Sequence, residues 1–151
     1  MSSTKRQSQP LQPDEEALLR ALARVTLTLP RMVDADLIRD RQVSLSEYRV
    51  LMRLAEAPER QLRFGALVSA CDLSPGGLSR LVTRLEKREL AQRVQLNEDA
   101  RGWNVRLTDH GLTHLKQVWP THLDSMRRHV LDRLADHEVA PLAAALRKIA
   151  H

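Results

Sequence analysis

The stretch Leu73-Ser74-Pro75-Gly76-Gly77-Leu78-Ser79-Arg80-Leu81-Val82-Thr83-Arg84-Leu85-Glu86-Lys87-Arg88 constrains this chain more than any other. Ser74 is placed to cap a helix by accepting from a free backbone N–H. Pro75 then takes the first helical position, where its missing donor costs nothing and its φ is already helical. Leu73 and Leu78 have the spacing of a hydrophobic staple across that start. Leu78, Leu81, Val82 and Leu85 recur at helical spacing, so one face packs inward. The opposite face carries Gly77, Ser79, Arg80, Thr83, Arg84 and Lys87. A small, uncharged N-terminus followed by arginines lets a helix approach a base stack and then hold phosphates.

Two alternating runs follow, Ala91 to Leu96 and Trp103 to Leu107, each with the pattern of a half-buried strand. The polar turn between them makes a hairpin, and a hairpin directly behind a groove-reading helix is a wing. At its tip, Asp99 stands two residues before Arg101, close enough to hold that arginine extended toward a narrow minor groove.

Taken with Leu45-Ser46-Glu47-Tyr48-Arg49-Val50-Leu51 and Leu107-Thr108-Asp109-His110-Gly111, these pieces resemble the MarR family of dimeric winged helix-turn-helix regulators. The likeness covers most of the chain after Pro13. It implies a mainly α fold with a small β-wing, and terminal helices that pair two copies. The DNA-contacting set it suggests is Ser74, Gly76, Gly77, Ser79, Arg80, Thr83, Arg84, Asp99 and Arg101. Two departures stand out. Glu89 replaces the glycine usual at the end of the reading helix, which counts against a left-handed cap there. Ala100 occupies a place often basic.

Length and charge agree with this reading. A chain of 151 residues suits one domain. Its net charge of +5 favours a polyanionic partner. From Ser74 to Arg106 seven basic residues face four acidic ones, so most of the excess falls on the reader. With aromatics at only 3%, the core must be built from Leu, Val and Ala. The lone Cys71 excludes an intramolecular disulfide and agrees with a cytoplasmic setting. No apolar run approaches the roughly 18 residues of a membrane span. Residues 1–12 read as a disordered tail, from their Ser, Gln and Pro content.

Residues 13–151 then form one domain, with the winged helix-turn-helix at about 42–107 and dimerisation helices at about 13–38 and 108–151. The first helix has Leu18, Leu19, Leu22, Val25, Leu29 and Met32 on its inner face. Pro30 predicts a kink or break in it. Ser44 and Glu47 have capping-box spacing, with Val43 and Tyr48 as staple. A very short strand at about Arg60 to Arg63 and a helix from Phe64 to Cys71 lead into the reader. After the wing, Thr108 caps a long helix carrying apolar residues to Leu134, bent at Pro120. A last helix is expected from about Glu138 to Ala150, with Pro141 in or near its first turn. Neither terminal helix can bury its apolar stripe against so small a reader, and pairing with a second copy solves this.

Other chemistries fit less well. His110 and His114 are spaced to share a zinc ion, as some relatives of the resembled family do, but no Cys or Glu joins them in a ligand motif. They read as structural or solvent-facing. Cys71 reads as a small buried hydrophobe rather than a redox sensor. Trp103 and Trp119 read as packing residues, Trp119 alternatively as a cavity wall. No phosphate loop or nucleophilic triad is present, so neither enzyme activity nor a cofactor is expected. The resemblance also implies a small effector, often an aromatic or phenolic acid, lodged between the dimer helices and the reader. The rival readings are a zinc- or redox-responsive regulator of the same fold, and a winged-helix module that binds protein instead.

Overall fold

A computed structural model describes residues 10–95 and 102–150. Most of the expected N-terminal tail, and the wing-tip residues Asp99 and Arg101, lie outside the described residues. The elements run α1 (Pro13–Arg41), α2 (Leu45–Glu56), β1 (Gln61–Arg63), α3 (Phe64–Cys71), α4 (Pro75–Lys87), β2 (Ala91–Gln95), β3 (Trp103–Leu107), α5 (Asp109–His129) and α6 (Asp136–Arg147). Short 3₁₀ turns lie at Pro58–Arg60 and Leu131–Arg133. None of the described helices is long and apolar enough to cross a membrane.

The caps expected from sequence are in place. The Ser44 hydroxyl accepts from the Glu47 N–H at 3.1 Å, and the Glu47 carboxylate accepts from the Ser44 N–H at 2.9 Å. Thr108 caps α5 by accepting from the Gly111 N–H at 2.8 Å. The same hydroxyl donates to the Glu89 carbonyl at 2.6 Å, tying the end of the reader to the start of α5. Gly111 is required at this junction, because a Cβ there would stand 2.0 Å from the Leu90 carbonyl oxygen.

Three expectations are corrected. Of the kink or break expected at Pro30, the break does not occur: α1 continues as one helix to Arg41. Val33 and Leu37 lie beyond the proline and are buried, and their packing outweighs the roughly 3 kcal/mol that an interior proline costs. α5 ends at His129 rather than near Leu134, because Val130 leaves helical geometry (φ −126°, ψ −68°). α6 begins at Asp136, two residues early. The Glu138 carboxylate accepts from the Ala135 N–H at 2.8 Å, which sets Glu138 in the first turn and pushes Pro141 past it.

The sheet is antiparallel with order β1-β3-β2, so β3 is central. Leu62 on one side and Arg93 on the other both pair with Val105. Leu37, Val50, Leu51, Leu54, Leu67, Leu78, Val82, Leu85 and Val105 are fully buried, forming one core under α4 and the wing. The terminal helices are different. Leu18, Leu19 and Val25, expected on the inner face of α1, are half or more exposed in the single chain. Not one residue of α6 is buried.

Candidate nucleic-acid interface

α4 owes its attitude to opposed faces. Leu78, Leu81, Val82 and Leu85 are buried, which turns Gly76, Arg80, Thr83, Arg84 and Lys87 outward to solvent. Gly77 and Ser79 are half-buried at the margin. Ser74 accepts from the Gly77 N–H at 3.0 Å, as its position predicted. A Cβ on Gly77 would lie 2.9 Å from that hydroxyl oxygen, so the cap itself calls for a small residue. Arg80 folds back along the exposed side, its Nη1 lying 3.7 Å from where a Cβ on Gly76 would stand.

The far end of α4 keeps the left-handed cap despite lacking glycine. Glu89 takes φ 57°. Its N–H donates to the Glu86 carbonyl at 2.9 Å, and the Leu90 N–H to the Leu85 carbonyl at 2.9 Å. These are the two bonds of a Schellman closure, sealed by the buried Leu85 and Leu90. Core packing imposes the turn on a residue that disfavours it.

Two interactions at this surface were not legible in sequence. Glu47, buried at the start of α2, lies 3.5 Å from Arg84 Nε and 3.8 Å from Arg88 Nη1. Arg84 is thus steered by a carboxylate while its side chain stays 56% exposed. The other is Arg93 on β2. Alternation from the buried Ala91 points Arg93, not Val94, toward the helix. Its guanidinium pairs with Glu86 and lies 4.6 Å from the centroid of the Trp103 ring. It also donates from Nη2 to the Ser79 carbonyl (3.1 Å), Ser79 Oγ (3.4 Å) and Thr83 Oγ1 (3.2 Å). Trp103 packs in turn on Phe64, with ring centroids 4.3 Å apart. The wing base and the reading helix are therefore one braced unit. The available signal was a basic residue on the inward register of a strand, which demands a carboxylate partner.

The histidines take separate roles. His110 is exposed, and His114 Nε2 stands 3.4 Å from Arg88 Nη2. Burial, with Arg88 and His110 nearby, lowers the His114 pKa. His129 lies 2.9 Å from the Asp36 carboxylate, and His122 stacks on Tyr48 with centroids 4.3 Å apart. No group of three metal-binding side chains occurs among the described residues. Cys71 is buried in the core; burial pushes its thiol pKa up, against the opposing charges of Arg53 and Arg49.

Behind the reader, between α2 and α5, lies a cleft of about 480 Å³ lined by Tyr48, Arg49, Met52, Cys71, Trp119 and His122 among others. A smaller cavity of about 240 Å³ shares Tyr48, Arg49 and His122 and reaches α1 at Leu29 and Val33. Tyr48 is 4% exposed, and its hydroxyl has no hydrogen-bond partner among the described residues. Burial, reinforced by Glu56, raises its pKa to about 12, so it stays a neutral donor.

The same arrangement recurs in solved proteins. The chain is 31% identical to AbsC, a MarR family transcriptional regulator of Streptomyces coelicolor, over 94% of this chain and 95% of that one, with a TM-score of 0.81. The chain belongs to the MarR family. The MarR family sequence model matches residues 41–102, from the end of α1 to the residue before β3. Sco3205, a MarR family regulator of the same organism solved in complex with DNA, is 30% identical over 96% of this chain and 91% of that one (TM-score 0.83). The HTH-type transcriptional regulator PecS of Dickeya dadantii is 25% identical, across 87% of this chain and 79% of PecS. As a MarR family member the protein is a DNA-binding transcriptional regulator, and these relatives are transcriptional regulators too.

Proposed function

We propose that the protein is a homodimeric, cytoplasmic repressor that binds a pseudo-palindromic operator and releases it when a small aromatic acid enters the cleft behind the reader. The outward row of Gly76, Arg80, Thr83, Arg84 and Lys87, on a helix braced by core leucines and by Arg93, carries the reading. Two such helices enter successive major grooves about one helical turn apart. Ser74, Gly76 and Gly77 bring the helix N-terminus to a phosphate, and Arg80 with Ser79 meets base edges. Arg84, steered by Glu47, holds a phosphate. Arg101, extended by Asp99, enters the flanking minor groove.

The effector half of the reading is supported by the orphaned Tyr48 hydroxyl. A buried donor without a partner costs free energy until an acceptor arrives. A carboxylate accepting from Tyr48, with its charge against Arg49 and its ring against His122 and Trp119, matches the basic and aromatic part of the cleft lining. Binding there wedges α5 from α2 and changes the separation of the two reading helices. Selection of bound sites from random DNA, repeated with aromatic carboxylates present, tests both halves. A palindromic motif lost on adding the acid is expected. Recovery of no common sequence overturns the operator reading, and a motif indifferent to all acids overturns the effector reading.

A further inference from the structure

Arg93 does more than brace the wing. A hydroxyl has one proton to donate and two lone pairs to accept with. Thr83 donates its proton to the Ser79 carbonyl at 3.0 Å and accepts from Arg93 at 3.2 Å. Its proton is therefore committed within the protein, although the residue is exposed. Thr83 cannot donate to a partner, and beside one remaining lone pair what it has left to offer is its methyl. Ser79 is occupied in the opposite sense. Its oxygen accepts from Arg93 at 3.4 Å, which directs the remaining O–H proton outward as a donor. Arg93 can hold both residues because Glu86 neutralises it and Trp103 lies against its guanidinium.

We propose that Arg93 is a specificity-determining residue that never touches DNA: it makes Ser79 a hydrogen-bond donor and Thr83 an apolar reader. In the major groove a donor seeks a purine N7, guanine O6 or thymine O4, and a methyl matches the C5-methyl of thymine. The operator then carries a thymine facing Thr83 in each half-site, next to a base that presents an acceptor to Ser79. This rests on the DNA-reading function proposed above.

The test replaces each thymine of the selected operator with uracil in turn, which removes only the C5-methyl. One position per half-site should weaken wild-type binding roughly fourfold, as expected for one apolar carbon group. Thr83→Ser should bind thymine and uracil alike at that position, whereas Thr83→Val, which keeps the methyl and replaces the hydroxyl by a second one, should still discriminate. Arg93→Lys retains the charge facing Glu86 and loses the fork that reaches Ser79 and Thr83. It should relax base preference at the Ser79 position while leaving positions read by Arg80 unchanged. Thermal melting of each variant guards against loss of folding, and the two exposed-site Thr83 variants keep the test alive if Arg93→Lys unfolds. A uracil penalty that persists in Thr83→Ser, or that vanishes in Thr83→Val, overturns the assignment. So does an Arg93→Lys protein that folds and selects the wild-type motif unchanged. Failure of the wild type to select any motif is a separate outcome, which removes the underlying DNA reading and this assignment with it.

Discussion

Arg80 and Arg84 stand one turn apart on α4 and are set differently by their neighbours. Arg80 has open solvent around it, whereas Arg84 lies against the buried Glu47 carboxylate. Arg80→Ala is expected to cost about 1–3 kcal/mol on the operator and to relax sequence preference. Arg84→Ala should weaken operator and unrelated DNA alike and lower the salt slope by about one. Titrations on both DNAs at several salt concentrations distinguish them; a uniform loss for Arg80→Ala would make it a phosphate anchor. Glu89 supplies a stability test at the same scale. A left-handed L-residue costs roughly 1–2 kcal/mol. Glycine removes that strain but frees the unfolded chain by about 0.4–1 kcal/mol. Glu89→Gly should therefore stabilise the fold by about 0.5–1 kcal/mol. A lowered urea midpoint would show that the turn carries no strain. The helix end was legible in sequence; the φ of Glu89 was not, because the sealing contact between Leu85 and Leu90 decides it.

Between elements, α1 and α5 are joined by a buried polar cluster. Asp36, 5% exposed, accepts from the Ser125 hydroxyl at 2.7 Å, lies 2.9 Å from His129 Nε2, and is flanked by Arg39 (3.0 Å) and Arg128 (3.3 Å). Burial alone would push the Asp36 carboxyl up. Hydrogen bonds from Ser125, His129 and Arg39 and the charge of Arg128 overcome this and hold it at about 2, against an ordinary 3.8. A depressed folded-state pKa stabilises fully above the unfolded value and less as pH falls through the folded one. The advantage of the wild type over Asp36→Asn should thus be complete above pH 4 and shrink toward pH 2. Urea midpoints of both proteins across that range measure it. Parallel curves down to pH 2 would mean that the carboxylate charge is not what joins the helices. Sequence periodicity could not find this cluster, since Ser125, Arg128 and His129 lie 89 to 93 residues from Asp36.

At the scale of the whole molecule, the exposed apolar residues concentrate on the terminal helices. Leu18, Leu19, Val25, Leu27 and Ile38 of α1 are exposed, as are Val139, Leu142 and Leu146 of α6. An α6 without one buried residue cannot be held by its own chain alone, because an isolated helix of its length is marginal in water. Burial against the same helices of a second copy supplies the missing contacts. Sedimentation at low micromolar concentration should give about twice the 17.2 kDa chain mass. Replacing Leu142 and Leu146 together by Lys should dissociate the dimer and abolish operator binding before the reader domain unfolds. A stable, folded wild-type monomer would end the dimer reading.

The features that residue spacing reveals are local in origin. The Ser44, Ser74 and Thr108 caps, the buried stripe of α4 and the β3 strand depend on residues within a few positions of one another, so spacing alone reveals them. The outward row of α4 follows from its inward one, which is why most of the candidate interface could be named. Tertiary structure decided what depended on distant neighbours: the continuity of α1 through Pro30, the turn at Glu89, and the pairing of Arg84 with Glu47. It also decided how Ser79 and Thr83 spend their hydroxyls, because Arg93 reaches them only once the wing has folded back onto the helix. A side chain's residue type sets what it can donate or accept, but its neighbours in space decide what remains free for a partner.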